Sequence, residues 1–235
     1  RVLVTRAAED AASIAASLEA MGHEPVLEPL LRPDYLADPI DLADARTLVL
    51  TSRHALEALA RQPAALAGAR RLKAAAVGAA TAARAGALGL SAVLEGPGTA
   101  AELADLISKD RSLAAPPYLH LSGDEVAFDL VGQLVAAGIA ARREVVYRMT
   151  AAGRLSEATR ELVADDRIGA VILMSPRTAR VYAGLIAAAG LGDAIREVRH
   201  ICLSAAVAAP LAPFRLRHIS VPAHPSLEAL LGLLS

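Results

Sequence analysis

Six histidines, one cysteine and a scatter of hydroxyls and arginines behind apolar runs are the side chains with which this chain could do chemistry. His23, His54, His120, His200, His218 and His224 show no HxxxH or HExxH spacing, and Cys202 has no second cysteine, so no metal site is expected. His120 and His200 border apolar runs and read as ordinary structural residues. Cys202 lies inside such a run and reads as an inert core thiol. No GxGxxG followed by an acidic residue, no phosphate-binding loop and no GxSxG elbow is present. Gly96-Pro97-Gly98 reads as a turn before a helix. What remains recurs at one kind of place, directly after an apolar run: Thr5-Arg6, Ser52-Arg53, the turn Gly78 to Thr81, Ser122-Gly123-Asp124, Ser175-Pro176-Arg177, and Ser204. Two readings are open. Each serine can simply cap the helix that follows it. Alternatively, several caps on one sheet edge offer backbone N–H groups to a polyanion, with Arg6, Arg53 and Arg177 as guanidinium forks.

The elements that would position these residues alternate from end to end. Strands are expected near 1–5, 25–32, 47–51, 72–77, 91–95, 117–122, 141–149, 169–174, 198–203 and 216–221. Helices are expected near 9–21, 53–61, 79–88, 99–109, 125–137, 155–165, 177–189, 204–211 and 225–234. Val2-Leu3-Val4, Thr47-Leu48-Val49-Leu50 and Ala170-Val171-Ile172-Leu173 lack polar alternation, as strands covered on both faces should. Gly22, Gly138 and Gly190 stand where helices should stop, and Thr99 and Ser226 where N-caps should sit. The βαβα rhythm predicts an α/β fold of parallel sheets flanked by helices.

An internal repeat organises this rhythm. Val2-Leu3-Val4-Thr5, a helix and Gly22 recur as Leu119-His120-Leu121-Ser122, a helix and Gly138. Leu48-Val49-Leu50-Thr51-Ser52 recurs as Val171-Ile172-Leu173-Met174-Ser175. The copies run over about 1–112 and 117–235. Two long extended stretches, about 25–32 and 141–149, read as linker strands. Contiguous domains need one crossing and interleaved domains two, so the expected domains are a discontinuous 1–33 plus 146–235 and a continuous 34–145.

Composition narrows the function. Lys+Arg 24 against Asp+Glu 25 leaves a formal charge of -1, which argues against a nucleic-acid partner. Only Lys73 and Lys109 are lysine; every other basic residue is Arg. Aromatics are 3% with no Trp, so stacking cannot be the main binding device. No stretch approaches the ~20 uninterrupted apolar residues of a membrane span, and the opening run reads as a strand rather than a secretion signal. A lone cysteine fits a reducing compartment, so a cytoplasmic protein is expected.

The conjunction Val2-Leu3-Val4-Thr5-Arg6, Leu50-Thr51-Ser52, Ala76-Val77-Gly78-Ala79-Ala80-Thr81-Ala82, Val145-Val146-Tyr147 and Met174-Ser175-Pro176 resembles the uroporphyrinogen-III synthase family. The similarity runs in order over essentially the whole chain. It implies two flavodoxin- or Rossmann-like parallel-sheet domains, one discontinuous, joined by a two-stranded linker, with the active site in the cleft between them. It implies a lyase without a cofactor. Linear hydroxymethylbilane, carrying eight carboxylates, would lose water and close to uroporphyrinogen III with inversion of its last pyrrole ring, through a spiro intermediate. By the same resemblance Tyr147 is the candidate proton donor, and Thr81 sits in the family's Gly-x-x-Thr-Ala turn. The substrate-binding set would then be Thr5, Arg6, Ser52, Arg53, Gly78, Thr81, Ser122, Gly123, Asp124, Ser175, Pro176, Arg177 and Ser204. The chain departs from the family at Ser204-Ala205-Ala206-Val207-Ala208, where a Gly-x-Thr-Thr-Ala turn is usual and only Ser204 offers a hydroxyl. Partners beyond the tetrapyrrole are not expected, and a monomer is. The competing reading from another class is a non-catalytic, two-lobed polyanion-binding protein, which explains the repeat and the linkers equally well. A sugar-nucleotide transferase would need a clearer acidic metal site than Asp124 supplies.

Overall fold

Apolar runs without alternation can be buried only if both faces of their sheet are covered, and the computed structural model, which describes residues 1–90, 93–110 and 115–234 (of residues 8–10 the backbone only), is built that way. In chain order the elements are β1 (Val2–Val4), α1 (Ala8–Ala20), β2 (Pro25–Leu27), β3 (Leu31–Tyr35), β4 (Thr47–Leu50), α2 (Arg53–Ala60), α3 (Pro63–Ala69), β5 (Lys73–Ala76), α4 (Ala79–Ala87), β6 (Val93–Glu95), α5 (Ala100–Lys109), β7 (Tyr118–Gly123), α6 (Leu130–Ala136), β8 (Ala141–Ala151), α7 (Glu157–Ala164), β9 (Ala170–Leu173), α8 (Pro176–Ala188), β10 (Arg199–Cys202), α9 (Ala205–Ala208), a 3-10 turn over Ala209–Phe214, β11 (Ile219–Ser220) and α10 (Leu227–Gly232). β1, β4 and β9 are buried at every residue. No helix among the described residues is long and apolar enough to cross a membrane.

The chain divides into two compact units, residues 1–32 with 150–235 and residues 33–149. The discontinuous unit holds a five-stranded sheet of order β11-β10-β9-β1-β2. Its paired strands run parallel, with Leu3 opposite Val26 on one side and Val171 on the other. Alternate residues serve opposite faces. Leu3, Val171 and Leu173 pack with Tyr182 and Ile186 of α8, whereas Val2, Val4 and Ile172 pack with Ile14 and Leu18 of α1 and Leu230 of α10. The continuous unit holds a six-stranded sheet of order β3-β8-β7-β4-β5-β6, parallel from β8 to β6. Leu48, Leu50, Leu119 and Leu121 pack with Leu56 and Leu59 of α2, while Val49, Ala75 and Tyr118 face Leu103 and Ile107 of α5 and Leu134 of α6.

The repeat is visible in these orders. β7 and β8 take the places in one sheet that β1 and β2 take in the other, beside β4, β5 and β6 in one case and β9, β10 and β11 in the other. Each sheet therefore combines the first βαβ segment of one sequence copy with the remainder of the other copy.

Local signals explain the boundaries. Gly22, Gly138 and Gly190 take φ +82°, +70° and +68° after α1, α6 and α8, the left-handed conformation that ends a helix without a Cβ clash. Thr99 accepts from the Glu102 N–H while the Glu102 carboxylate accepts from the Thr99 N–H, a complete capping box for α5. Four expectations are corrected. The strand expected over 25–32 is two strands in different sheets, β2 beside β1 and β3 beside β8, with Pro29 between them. Between them the buried Glu28 turns to cap α7, accepting from the Ser156 N–H at 3.1 Å and from the hydroxyls of Ser156 and Thr159. The helix expected over 125–137 begins only at Leu130, where the Asp129 carboxylate accepts from the Gly132 N–H at 2.9 Å. α3 was unforeseen and starts with Pro63 in its first turn, where a missing N–H costs nothing. The helix expected over 204–211 is one α-turn followed by a 3-10 turn, because Pro210 and Pro213 cannot donate. Residues 91 and 92 of the strand expected over 91–95, and the expected end of the first copy at residue 112, lie outside the described residues.

Candidate functional site

In an open parallel sheet, ligands bind beyond the carboxyl ends of the strands, where the strand order reverses. In the continuous unit the chain leaves β4 for β5 and β6 on one side and returns to place β7 on the other, so the reversal lies between β4 and β7. A cavity of about 380 Å³ opens there. Its wall takes Thr51 and Ser52 from the end of β4, Val77 from the end of β5, His120, Ser122 and Gly123 from β7, and Tyr147 from β8. Gly98, at φ +128°, and Thr99 bring the start of α5 to the same wall.

The polar side chains of this wall are hydroxyls, one imidazole and the carboxyl of Glu125. The imidazole Nε2 of His120 lies 2.8 Å from the Thr51 hydroxyl, a hydrogen bond that spans the reversal point. Burial, with the Arg143 guanidinium as a second cause, pushes the His120 pKa down to about 4, so this imidazole is neutral at pH 7. The Ser52 hydroxyl accepts from the His54 N–H at 3.1 Å and caps α2. Ser122, 1% exposed, is not a cap: its hydroxyl accepts from Arg143 Nε at 2.7 Å. The same guanidinium donates to the carbonyls of Gly123 and Asp124 and so fixes the end of β7.

Tyr147 reaches this wall through an irregularity in β8. Ser122 is opposite Val145, but Gly123 is opposite Tyr147, so β8 carries one extra residue there. Val146 and Tyr147, although adjacent, both pack into the core cluster that holds Leu119 and Leu121, which regular alternation forbids. The ring centroids of Tyr147 and His54 are 5.4 Å apart, and His54 Nδ1 lies 3.2 Å from the Tyr35 hydroxyl. The Tyr147 hydroxyl has no hydrogen-bond partner among the described residues and is not sealed from solvent. Its phenol group therefore stands open on the cavity wall.

The other residues singled out from sequence fall as follows. Arg53, in the first turn of α2, and Asp124 are exposed at the same sheet edge outside the cavity wall. Gly78 caps α4 with ordinary extended backbone, and Thr81 is buried in that helix. In the discontinuous unit the reversal lies between β1 and β9, and the Thr5 hydroxyl bridges it by donating to the Ile172 carbonyl at 2.8 Å. Arg6 reaches the Met174 sulfur at 3.9 Å. Ser175 caps α8, accepting from the Thr178 N–H at 3.0 Å, with Pro176 and Arg177 in the first turn. Ser204 precedes α9 without a side-chain cap bond. A larger cavity of about 810 Å³ in this unit is bordered by Leu27, Glu28, Arg32 and residues 150–156, but its buried carboxylate is committed to capping α7. Sequence reasoning set His120 aside as structural and did not single out Arg143. What marks both is the neighbour relation of β7 with β4 and β8, which no local motif encodes.

A family model described as uroporphyrinogen-III synthase HemD matches residues 12–232. Comparison with curated proteins gives no match. Among solved structures the chain is similar to uroporphyrinogen-III synthetase from Helicobacter pylori, at 18% identity and TM-score 0.69, over 100% of this chain and 97% of that one. It is also similar to a mutant uroporphyrinogen III synthase from the extremely thermophilic bacterium Thermus thermophilus, at 17% identity and TM-score 0.53, over 100% of this chain and 96% of that one. At such identities the structural likeness establishes the fold. The family match, which spans nearly all the chain, establishes more: the chain belongs to the uroporphyrinogen-III synthase family.

Proposed function

We propose that this chain converts hydroxymethylbilane to uroporphyrinogen III, with Tyr147 as the proton donor at the step that expels water. The family is one of hydro-lyases, so the chain is an enzyme, and the non-catalytic polyanion-binding reading is not favoured. The observation that carries the role of Tyr147 is its open hydroxyl on the wall of the cavity at the β4–β7 reversal.

The chemistry asks little beyond one proton and a shaped site. The pyrrole nitrogen pushes electrons toward the hydroxymethyl carbon, the C–O bond breaks, and the Tyr147 hydroxyl supplies the proton that makes the leaving group water. The cationic carbon is then attacked by the substituted carbon of the last pyrrole, giving the spiro intermediate, whose reopening and closure invert that ring. The final ring closure releases a proton from carbon, which restores the phenol, so the balance is the loss of one water. No cofactor enters these steps. A neutral His120 beside Thr51 keeps the cavity floor from presenting a competing cation.

The eight carboxylates of the substrate call for donors. In the continuous unit the start of α2 with Ser52 and Arg53 and the start of α4 at Gly78, with Thr81 one turn in, are the proposed donors, and Ser122 and Gly123 shape the cavity. Asp124 has the wrong charge for a carboxylate and suits a pyrrole N–H. In the discontinuous unit Thr5, Arg6, Ser175, Arg177 and Ser204 at the carboxyl edge are the proposed second donor set, with Pro176, which has no N–H, shaping the start of α8. A cytoplasmic monomer is part of this proposal, and the single, buried cysteine supports the reducing compartment. The test is product identity: freshly generated hydroxymethylbilane should give the type III isomer, whereas a protein that only binds it leaves the spontaneous type I product.

A further inference from the structure

We propose that Gly123 is a positioning residue that sets the place of the Tyr147 hydroxyl, so that glycine is required there by the tyrosine and not by the backbone. This rests on the proton-donor role of Tyr147 and extends it to the geometry that aims the phenol.

Gly123 does not have the left-handed φ that usually explains a required glycine. Alanine is therefore permitted by its backbone. A Cβ at this position would instead stand 2.8 Å from both Cε2 and Cζ of Tyr147 and 3.1 Å from its hydroxyl oxygen. Carbon atoms in contact prefer about 3.5–4.0 Å, so the ring tip or the backbone of residue 123 would have to retreat by most of an ångström.

The backbone is the part that is held. Arg143 donates to the carbonyls of Gly123 and Asp124. The Asp124 N–H donates to the Tyr147 carbonyl at 3.1 Å, which ties the end of β7 to β8 beside the irregularity. The hydroxyl end of the ring is the part that can give, because it has no partner among the described residues, whereas the body of the ring is packed in the core. An added methyl thus moves the phenol while leaving the fold in place. The extra residue in β8 turns Tyr147 to this face, the His54 ring supports it, and the missing side chain at 123 gives its tip room.

A misplacement near 1 Å at a reacting group can cost on the order of 10²-fold in rate. Gly123→Ala should therefore lower kcat for type III formation by at least ~10-fold, with KM within ~3-fold of wild type and little change in Tm. The decisive comparison is Gly123→Ala, Tyr147→Phe and the double variant. If Gly123 acts by aiming the hydroxyl, the double variant is no slower than Tyr147→Phe alone. Wild-type kcat in Gly123→Ala beside a slow Tyr147→Phe would overturn the positioning role and leave the proton-donor role standing. Multiplying effects in the double variant would also overturn it. An unchanged rate in Tyr147→Phe would remove the proton-donor role itself and, with it, this inference. Should Gly123→Ala melt early, the same change is made in Tyr147→Leu, where no ring is left to meet the methyl. Recovery of Tm relative to the Tyr147→Leu parent supports the contact, and an equal loss of Tm in both backgrounds contradicts it.

Discussion

Tyr147→Phe removes one oxygen atom and keeps the ring between the residues that hold it. The ring contributes to the core beside Leu119, Leu121 and Val146, and phenylalanine fills the same space. No hydrogen bond to a described residue is lost with the hydroxyl, so the stability change should stay within about 0.5 kcal/mol. The rate should respond quite differently. A positioned general acid contributes typically ~10²–10⁴-fold, and here the pyrrole nitrogen already assists departure of the hydroxyl, so the loss should sit near ~10²-fold. At about 1.36 kcal/mol per decade that is roughly 2.7 kcal/mol of barrier, several times any stability effect. The assay follows freshly generated hydroxymethylbilane, quenches and oxidises the products, and separates the porphyrin isomers, with Tm recorded on the same preparations. A wild-type rate of type III formation in Tyr147→Phe would refute the proton-donor role. A slow variant whose Tm has also dropped by several degrees would make Tyr147 a structural residue instead.

Burial holds His200, bonded to Tyr182 at 3.1 Å, and His120 at about 4 against an ordinary 6.5, so the unfolded chain takes up protons that the folded chain refuses. Their contribution is complete above pH 6.5 and is lost as pH falls toward 4, up to about 3 kcal/mol for each; Tm should fall between pH 7 and pH 4.5, less so in His200→Gln, and a flat profile would contradict this. Residues 33–149 expressed alone should melt cooperatively, whereas 1–112 should not, because its β1 would lack β9. A cooperatively melting 1–112 fragment would make the sequence copies, and not the units 1–32 with 150–235 and 33–149, the folding units.

The parts of the fold that were legible in the sequence are those governed by local chemistry. Unbroken apolar runs announce covered strands, Gly22, Gly138 and Gly190 announce helix ends, and Thr99 with Glu102 announces a helix start. Proline exposes the limit of reading by hydrophobicity. Pro29 interrupts an extended stretch that looks continuous, Pro63 opens a helix, and Pro210 and Pro213 tighten one. At the site, Ser52, Ser122 and Gly123 attract attention by their place after apolar runs and Tyr147 by the family resemblance, and the structure lines one cavity with all four. Their individual duties are not legible, because they depend on which strand lies beside which. Ser122 holds an arginine rather than a helix end, and His120 meets Thr51 only because β7 lies against β4. The irregularity that turns Tyr147 is a property of the β7–β8 pairing and leaves no mark on Val145-Val146-Tyr147 itself.

The isomer composition of the product tests the central claim most directly. Hydroxymethylbilane left alone closes without inversion to the type I isomer, so the type III fraction reports the catalysed path alone. In nucleotide-free buffer with a metal chelator present, the type III fraction should rise with protein concentration until essentially no type I forms. Product that stays type I at high protein concentration, or turns type III only after a metal is added, would contradict the account.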